Sequence, residues 1–193
     1  MLRRLQLSLF VFLLQFTIAK SGWASDSNVG FKRTALLDSL GKTRVGETVP
    51  WFASEISPGK ILNRTLILSQ AKEKGRHGIA LVFFTTWCVP CRAGITELGR
   101  NQDRLDSAGV EVFLIDYSED GKSAPAMLDK LGAKKFTVLP DRYGMVGEDF
   151  GVVNAEKGGG LPKTFIAGTD GRVRAIFSAE GDDYVDRILE ACR

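Results

Sequence analysis

Thiols and imidazoles are scarce in this sequence: 193 residues hold three cysteines and a single histidine, His77. A structural zinc site takes four nitrogen or sulfur ligands, usually as two pairs. Nothing in the spacing sets His77 or Cys192 beside the close pair Cys88 and Cys91, so no metal is expected. Long apolar runs are lacking too. Leu5 to Ala19 is mostly apolar but only 15 residues long, short of the roughly 18 that read as a membrane-spanning helix. Phosphate-binding loops are absent. Gly41-Lys42-Thr43 and Gly121-Lys122-Ser123 each require a glycine five residues upstream and find Leu36 and Asp116. No internal repeat is visible.

A net charge is also missing once the first residues are set aside. Arg3 and Arg4 precede the apolar run, and small residues Gly22 and Ala24 follow it. That is the plan of a secretory signal over residues 1–24, with an uncleaved anchor as the alternative. Its removal takes Arg3, Arg4 and Lys20 and no acid, leaving 23 basic against 23 acidic residues, so the formal charge falls from +3 to 0. The basic excess belongs to export, and nucleic acid is not an expected partner. Residues 25–46 read as a polar leader and 47–193 as one domain of ordinary size. Outside the cytoplasm, thiols can be oxidised.

Strand and helix signals then alternate. Val49–Phe52 and Lys60–Leu68 suggest short extended pieces around the turn Ser57-Pro58-Gly59, and Lys72–Gly78 a charged loop. Ile79–Phe84 and Val110–Asp116 are apolar runs of the kind covered on both faces. A helix carrying Pro90 in its first turn follows the first run. Short helices are expected at Pro125–Leu131 and Tyr143–Phe150, with a third extended piece, Phe136–Asp141, between them. Thr164–Phe177 is a hairpin around Asp170-Gly171. A last helix puts Tyr184, Val185, Ile188, Leu189 and Cys192 on one stripe. Together these predict an α/β domain, a mixed central sheet with helices on both faces.

The stretch FFTTWCVPCR, Phe83–Arg92, concentrates the chemistry. A structural crosslink between Cys88 and Cys91 would close a very short loop, contributing about 2 kcal/mol in the chain-entropy model. Residues i and i+3 of a helix lie roughly 5–6 Å apart at Cβ, more than a disulfide prefers, so the bond fits only at a helix end. It is a weak staple and a good switch. At a helix N-terminus Cys88 faces unpaired N–H groups that stabilise a thiolate. Cys91, one turn inside, is expected to be shielded and ready to attack a mixed disulfide. Trp87 supplies an apolar platform or a core aromatic. Cys192, an odd cysteine in an exported chain, reads as a packed thiol on its apolar stripe, with an intermolecular bond as the alternative. Asn63-Arg64-Thr65 is a glycosylation sequon only in a host that modifies such sites.

WCVPC after a buried strand resembles the active-site motif of thioredoxin-fold proteins, and GGLPKTFIAGTDGRV resembles their cis-proline loop and hairpin. With GETVPWF, VEVFLIDYSED and VLPDRYGMVGEDFGV, the layout over Val45–Cys192 is similar to exported TlpA/ResA-type thiol–disulfide oxidoreductases. The resemblance implies a thioredoxin-like fold with Cys88 as nucleophile, Cys91 as resolving thiol and Cys88–Cys91 as the redox-active disulfide. It implies Pro162 as cis-proline, the Leu161 backbone and Trp87 as substrate contacts, and no cofactor beyond the disulfide. It also implies protein thiol or disulfide clients, a membrane electron donor, and a periplasmic or membrane-associated location. Oligomeric state is not implied. Two departures stand out. Val82 occupies the position of the thioredoxin aspartate, and Gly94 that of a glutamate common in TlpA/ResA-type chains, so the usual proton acceptors for Cys91 are missing. Thr96 replaces a helix-kinking proline. A thiol peroxidase using Thr85-Thr86-Trp87-Cys88 as T-x-x-C, and a Cu(I) carrier binding through both thiolates, remain the alternative functions.

Overall fold

The computed structural model describes residues 43–152, 160–177 and 181–193. The expected secretory signal and most of the leader lie outside them. Among the described residues the chain runs β1 (Ala53–Ser57), β2 (Lys60–Asn63), α1 (Arg64–Glu73), β3 (Gly78–Phe84), α2 (Val89–Arg100) and α3 (Gln102–Ser107). It continues β4 (Val110–Tyr117), α4 (Ala124–Lys130), β5 (Thr137–Asp141), α5 (Met145–Phe150), β6 (Lys163–Gly168), β7 (Val173–Phe177) and α6 (Tyr184–Ala191).

Five strands form the central sheet in the order β5-β4-β3-β6-β7, and β1-β2 form a separate hairpin. β3, β4 and β5 run parallel, while β6 and β7 are antiparallel additions. All seven side chains of β3 are buried, as its unbroken apolar run requires when both faces are covered. Alternation then divides the core. Ala80, Val82 and Phe84 of β3 meet α2, α4 and α6 on one face. Ile79, Leu81 and Phe83 meet α1, α5 and the β1–β2 hairpin on the other, where Phe52, Phe83, Phe150 and Phe165 pack with rings edge to face or tilted. The mixed sheet with helices on both faces is the expected thioredoxin-like arrangement.

The extended reading of Lys60–Leu68 is corrected. Only Lys60–Asn63 is strand, because the Asn63 side chain accepts the Leu66 N–H at 2.9 Å and caps α1. Ile67 and Ala71, four apart, are the buried contacts of that helix, so the cluster Leu66-Ile67-Leu68 is one turn of helix rather than a strand. Val49–Phe52 is likewise not strand, since pairing with β2 begins at Ala53. The same Asn63 amide is the sequon's acceptor, and here it serves as a cap.

Register fixes what lies beside the two cysteines. β3 and β4 pair in parallel with Phe84 opposite Asp116, and β3 pairs antiparallel with β6 with Phe83 opposite Lys163. The segment leaving β3 toward α2, the segment leaving β4, and Pro162 entering β6 therefore meet at one end of the sheet. That end is where parallel α/β sheets carry their sites.

Candidate active site

Cys88 is the N-cap of α2 and is joined to Cys91 by a disulfide with S–S 2.01 Å and Cα–Cα 5.3 Å. The Cys91 N–H points at Cys88 Sγ from 3.3 Å, so the first-turn donor that would hold a thiolate is already aimed at the sulfur. Pro90 lies in that first turn, where its missing N–H removes no helical bond. α2 continues unbroken to Arg100.

The pair is shielded in this oxidised state, with Cys88 5% and Cys91 1% exposed. Trp87 and Val89, on either side of Cys88, are 72% and 73% exposed. Trp87 is thus exposed beside Cys88 and not a core aromatic. The Leu161–Pro162 bond is cis, and the register places it across the sheet end from Phe84. Leu161 is half-buried against both halves of the core. Cys88, Cys91, Trp87, Leu161 and Pro162 are all found at that end.

Cys192 is elsewhere. It caps the end of α6 beneath Gly78, the first residue of β3, where an added Cβ would stand 2.9 Å from Cys192 Sγ. Seven strand residues put it roughly 20 Å from the reactive pair. Burial pushes its thiol up to about 11, only partly offset by Arg174. It is the packed thiol expected from its stripe.

Three residues at the site had not been singled out from sequence. Glu119 accepts from the Thr86 N–H at 2.5 Å and from the Thr86 hydroxyl at 2.7 Å. Arg92 donates to the Thr86 carbonyl through Nε at 2.9 Å and also through Nη2. Thr86 is held from both sides, which fixes the segment leading into Cys88. Ser118, with φ 59°, turns the chain after β4 and sends Glu119 back to that contact. The third is Asp116, fully buried near the end of β4, with the Glu119 carboxyl and the Gly121 N–H as its polar neighbours. Burial, then Glu119 and then Asp120, lift its carboxyl from 3.8 to about 8. The signal was present in Val110-Glu-Val-Phe-Leu-Ile-Asp116. Alternation puts Asp116 on the same buried face as Val112 and Leu114.

Among the described residues no cluster of three or more histidine, cysteine or acidic side chains is placed to hold a metal ion. What the arrangement can do is exchange a disulfide. A capped sulfur sits under an apolar rim, its partner sulfur lies one turn inside, and a polar clamp fixes the approach.

Comparison with known proteins agrees with this geometry. Residues 45–176 match the AhpC/TSA family. The thiol:disulfide interchange protein DsbE of Yersinia pestis is 32% identical over 143 residues, covering 73% of this chain and 68% of that one. DsbE of Escherichia coli K12 is 30% identical, over 70% and 66%. This chain therefore spans about two thirds of the length of these DsbE relatives. The thiol-disulfide oxidoreductase ResA of Bacillus thuringiensis is 25% identical, with 77% of each chain covered. Among solved structures, a DsbE-type protein of Chlorobium tepidum superposes with TM-score 0.62 at 23% identity, over 79% of this chain and 100% of that one. Peroxidoxin BcpB of Mycobacterium tuberculosis gives 0.63 at 20%, over 78% and 97%. The fold is thioredoxin-like, and this chain belongs to the AhpC/TSA family as a thiol–disulfide oxidoreductase of the TlpA/ResA type.

Proposed function

We propose that the protein works outside the cytoplasm as a reductant of protein disulfides. In this reading the Cys88 thiolate attacks a client disulfide, forming a mixed disulfide and releasing one client sulfur as thiolate. Cys91 then attacks Cys88 Sγ, the remaining client sulfur leaves, and the enzyme is left with the Cys88–Cys91 disulfide. Two electrons pass to the client, and a membrane electron donor restores the dithiol. The client lies extended along the Leu161 backbone beside Pro162, with Trp87 as its apolar support, and no cofactor takes part. The observation that carries the reading is the capped Cys88 sulfur between two exposed apolar residues, Trp87 and Val89. Likeness to DsbE and ResA, together with the signal-like residues 1–24, supports an exported, periplasmic or membrane-associated location.

Two measurements test it. Cys91→Ser is expected to trap mixed disulfides with clients, whereas Cys88→Ser traps few; equal trapping would reverse the assignment. A reduction potential near roughly −270 mV supports a reductant, while one near −120 mV marks an oxidant. The thiol peroxidase alternative has one observation in its favour, the buried Thr85 hydroxyl of T-x-x-C, which has no hydrogen-bond partner. Hydrogen peroxide consumption by the reduced protein would establish it, and its absence would remove it.

A further inference from the structure

Beside the reactive segment the Thr85 hydroxyl is buried without a partner, and the carboxyl of Asp116 is fully buried with the Glu119 carboxyl and the Gly121 N–H as its polar neighbours. A buried carboxyl in that condition costs stability and calls for an explanation in chemistry. The exchange reaction supplies a demand for one. Cys91 can attack only as a thiolate, yet it is almost wholly enclosed, and burial in apolar surroundings resists ionisation. Val82 on β3 and Gly94 on α2 offer no acceptor.

The fold brings a carboxyl to the same place from a third direction. Asp116 is the register partner of Phe84, the last residue of β3. Its strand face is that of Val112 and Leu114, which share one apolar cluster with Phe84, Cys88 and Cys91. The carboxyl therefore lies on the α2 side of the sheet, at the end where the segment carrying the two sulfurs leaves β3. Its charged neighbours are Glu119 and, more weakly, Asp120, and the Gly121 N–H opposes them. Phe84 of β3 is its cross-strand neighbour, and this face of the sheet is otherwise covered by apolar side chains of α2 and α4 and by the cysteine pair. Glu119 is itself raised by burial, but its two bonds from Thr86 and its proximity to Asp116 outweigh this and keep it low. Glu119 is thus the ionised member of the pair and Asp116 the one that holds a proton.

We propose that Asp116 accepts the proton of Cys91 during resolution of the mixed disulfide, with Glu119 as the positioning residue. The proposal rests on the exchange mechanism above. The Cys91 S–H bond breaks and its proton passes to the Asp116 carboxylate, directly or across one water. The Cys91–Cys88 bond forms, the Cys88–client bond breaks, and the client sulfur leaves with the electron pair and takes a proton from solvent. In the reverse direction neutral Asp116 returns the proton to Cys91. An acid titrating near 8 sits close to both thiol and working pH, where proton transfer is most effective.

Reaction of the reduced protein with 5,5′-dithiobis(2-nitrobenzoate) separates the two steps by stopped flow. The first release of coloured thiolate reports attack by Cys88, and the second reports attack by Cys91. The second phase of the wild type is expected to rise about tenfold from pH 7 to pH 9 and then level, following ionisation of Asp116. Asp116→Asn is expected to slow that phase by about a hundredfold at pH 8 and move its rise to higher pH, leaving the first phase little changed. A second phase identical in rate and profile to wild type overturns the proposal, and so does equal slowing of both phases. Absence of a first phase in the wild type would instead remove the exchange reading itself. Carboxyl carbon NMR of the oxidised wild type gives an independent check. An Asp116 resonance that titrates in the ordinary carboxylate range overturns the proposal without any variant.

Discussion

Replacing Asp116 with asparagine tests the buried carboxyl through stability alone, independent of any client. In the unfolded chain this carboxyl releases its proton near 3.8, whereas in the folded oxidised protein it keeps the proton to about 8. Between those limits the unfolded state binds fewer protons, so stability falls as pH rises. The contribution is fully present below about pH 4 and is lost progressively up to the folded value. The slope is about 1.4 kcal/mol per pH unit, giving about 2.7 kcal/mol between pH 5 and pH 7 and about 4 accumulated by pH 7. Asparagine cannot ionise, and the cost of burying its amide is independent of pH. In the difference between the two unfolding free energies that cost is a constant offset, so the slope with pH reports Asp116 together with its coupling to Glu119. Urea unfolding of both oxidised proteins at pH 5, 6, 7 and 8 is expected to show the wild type losing ground at about that slope. A difference that stays flat across the range would mean Asp116 ionises normally, and the electrostatic account of the site would fail.

Glu119→Gln removes the nearest charge from Asp116, so the Asp116 NMR midpoint is expected to fall; an unmoved midpoint would show that the two carboxyls do not interact. At mildly acidic pH iodoacetamide should label Cys88 of the reduced protein first, and Cys192 should stay unlabelled until unfolding, given its burial and raised pKa. Peptide mapping checks both, and early Cys192 labelling would contradict its packing. Gly147→Ala drives a methyl carbon into the Tyr117 ring, and overpacking of this kind costs about 1–3 kcal/mol. A chemical melt unchanged from wild type would show that the ring yields freely.

Ile79–Phe84 and Val110–Asp116 were legible because two covered faces demand continuous apolar side chains, and the hairpin because Asp170-Gly171 marks its turn. The reactive pair was legible because a strand, a tryptophan and a proline surround two cysteines one helical turn apart. Lys60–Leu68 was misread for a physical reason. Three consecutive apolar residues satisfy a strand as well as one helical turn, and the deciding contact is a side-chain cap visible only in three dimensions. Asp116 escaped notice because at the end of an apolar run an acid reads as the strand's exit to water. Nothing in the linear order shows that it is fully buried beside Phe84, with Glu119 folded back against it. Glu119 and Arg92 act on Thr86 from 33 and 6 residues away, so their joint role appears only once the strand ends are brought together.

The distance between Cys192 and the reactive pair sets how the protein can be used. Among the described residues the third thiol is a strand's length away and sealed, so in the proposed cycle Cys192 offers the reactive pair no relay. Whatever recharges Cys88–Cys91 must enter by the same rim of Trp87 and Val89 that admits the protein being acted upon. The two visitors then take turns and compete for the doorway, so steady-state kinetics should show the parallel-line pattern of a ping-pong cycle. Excess of either partner should slow the other.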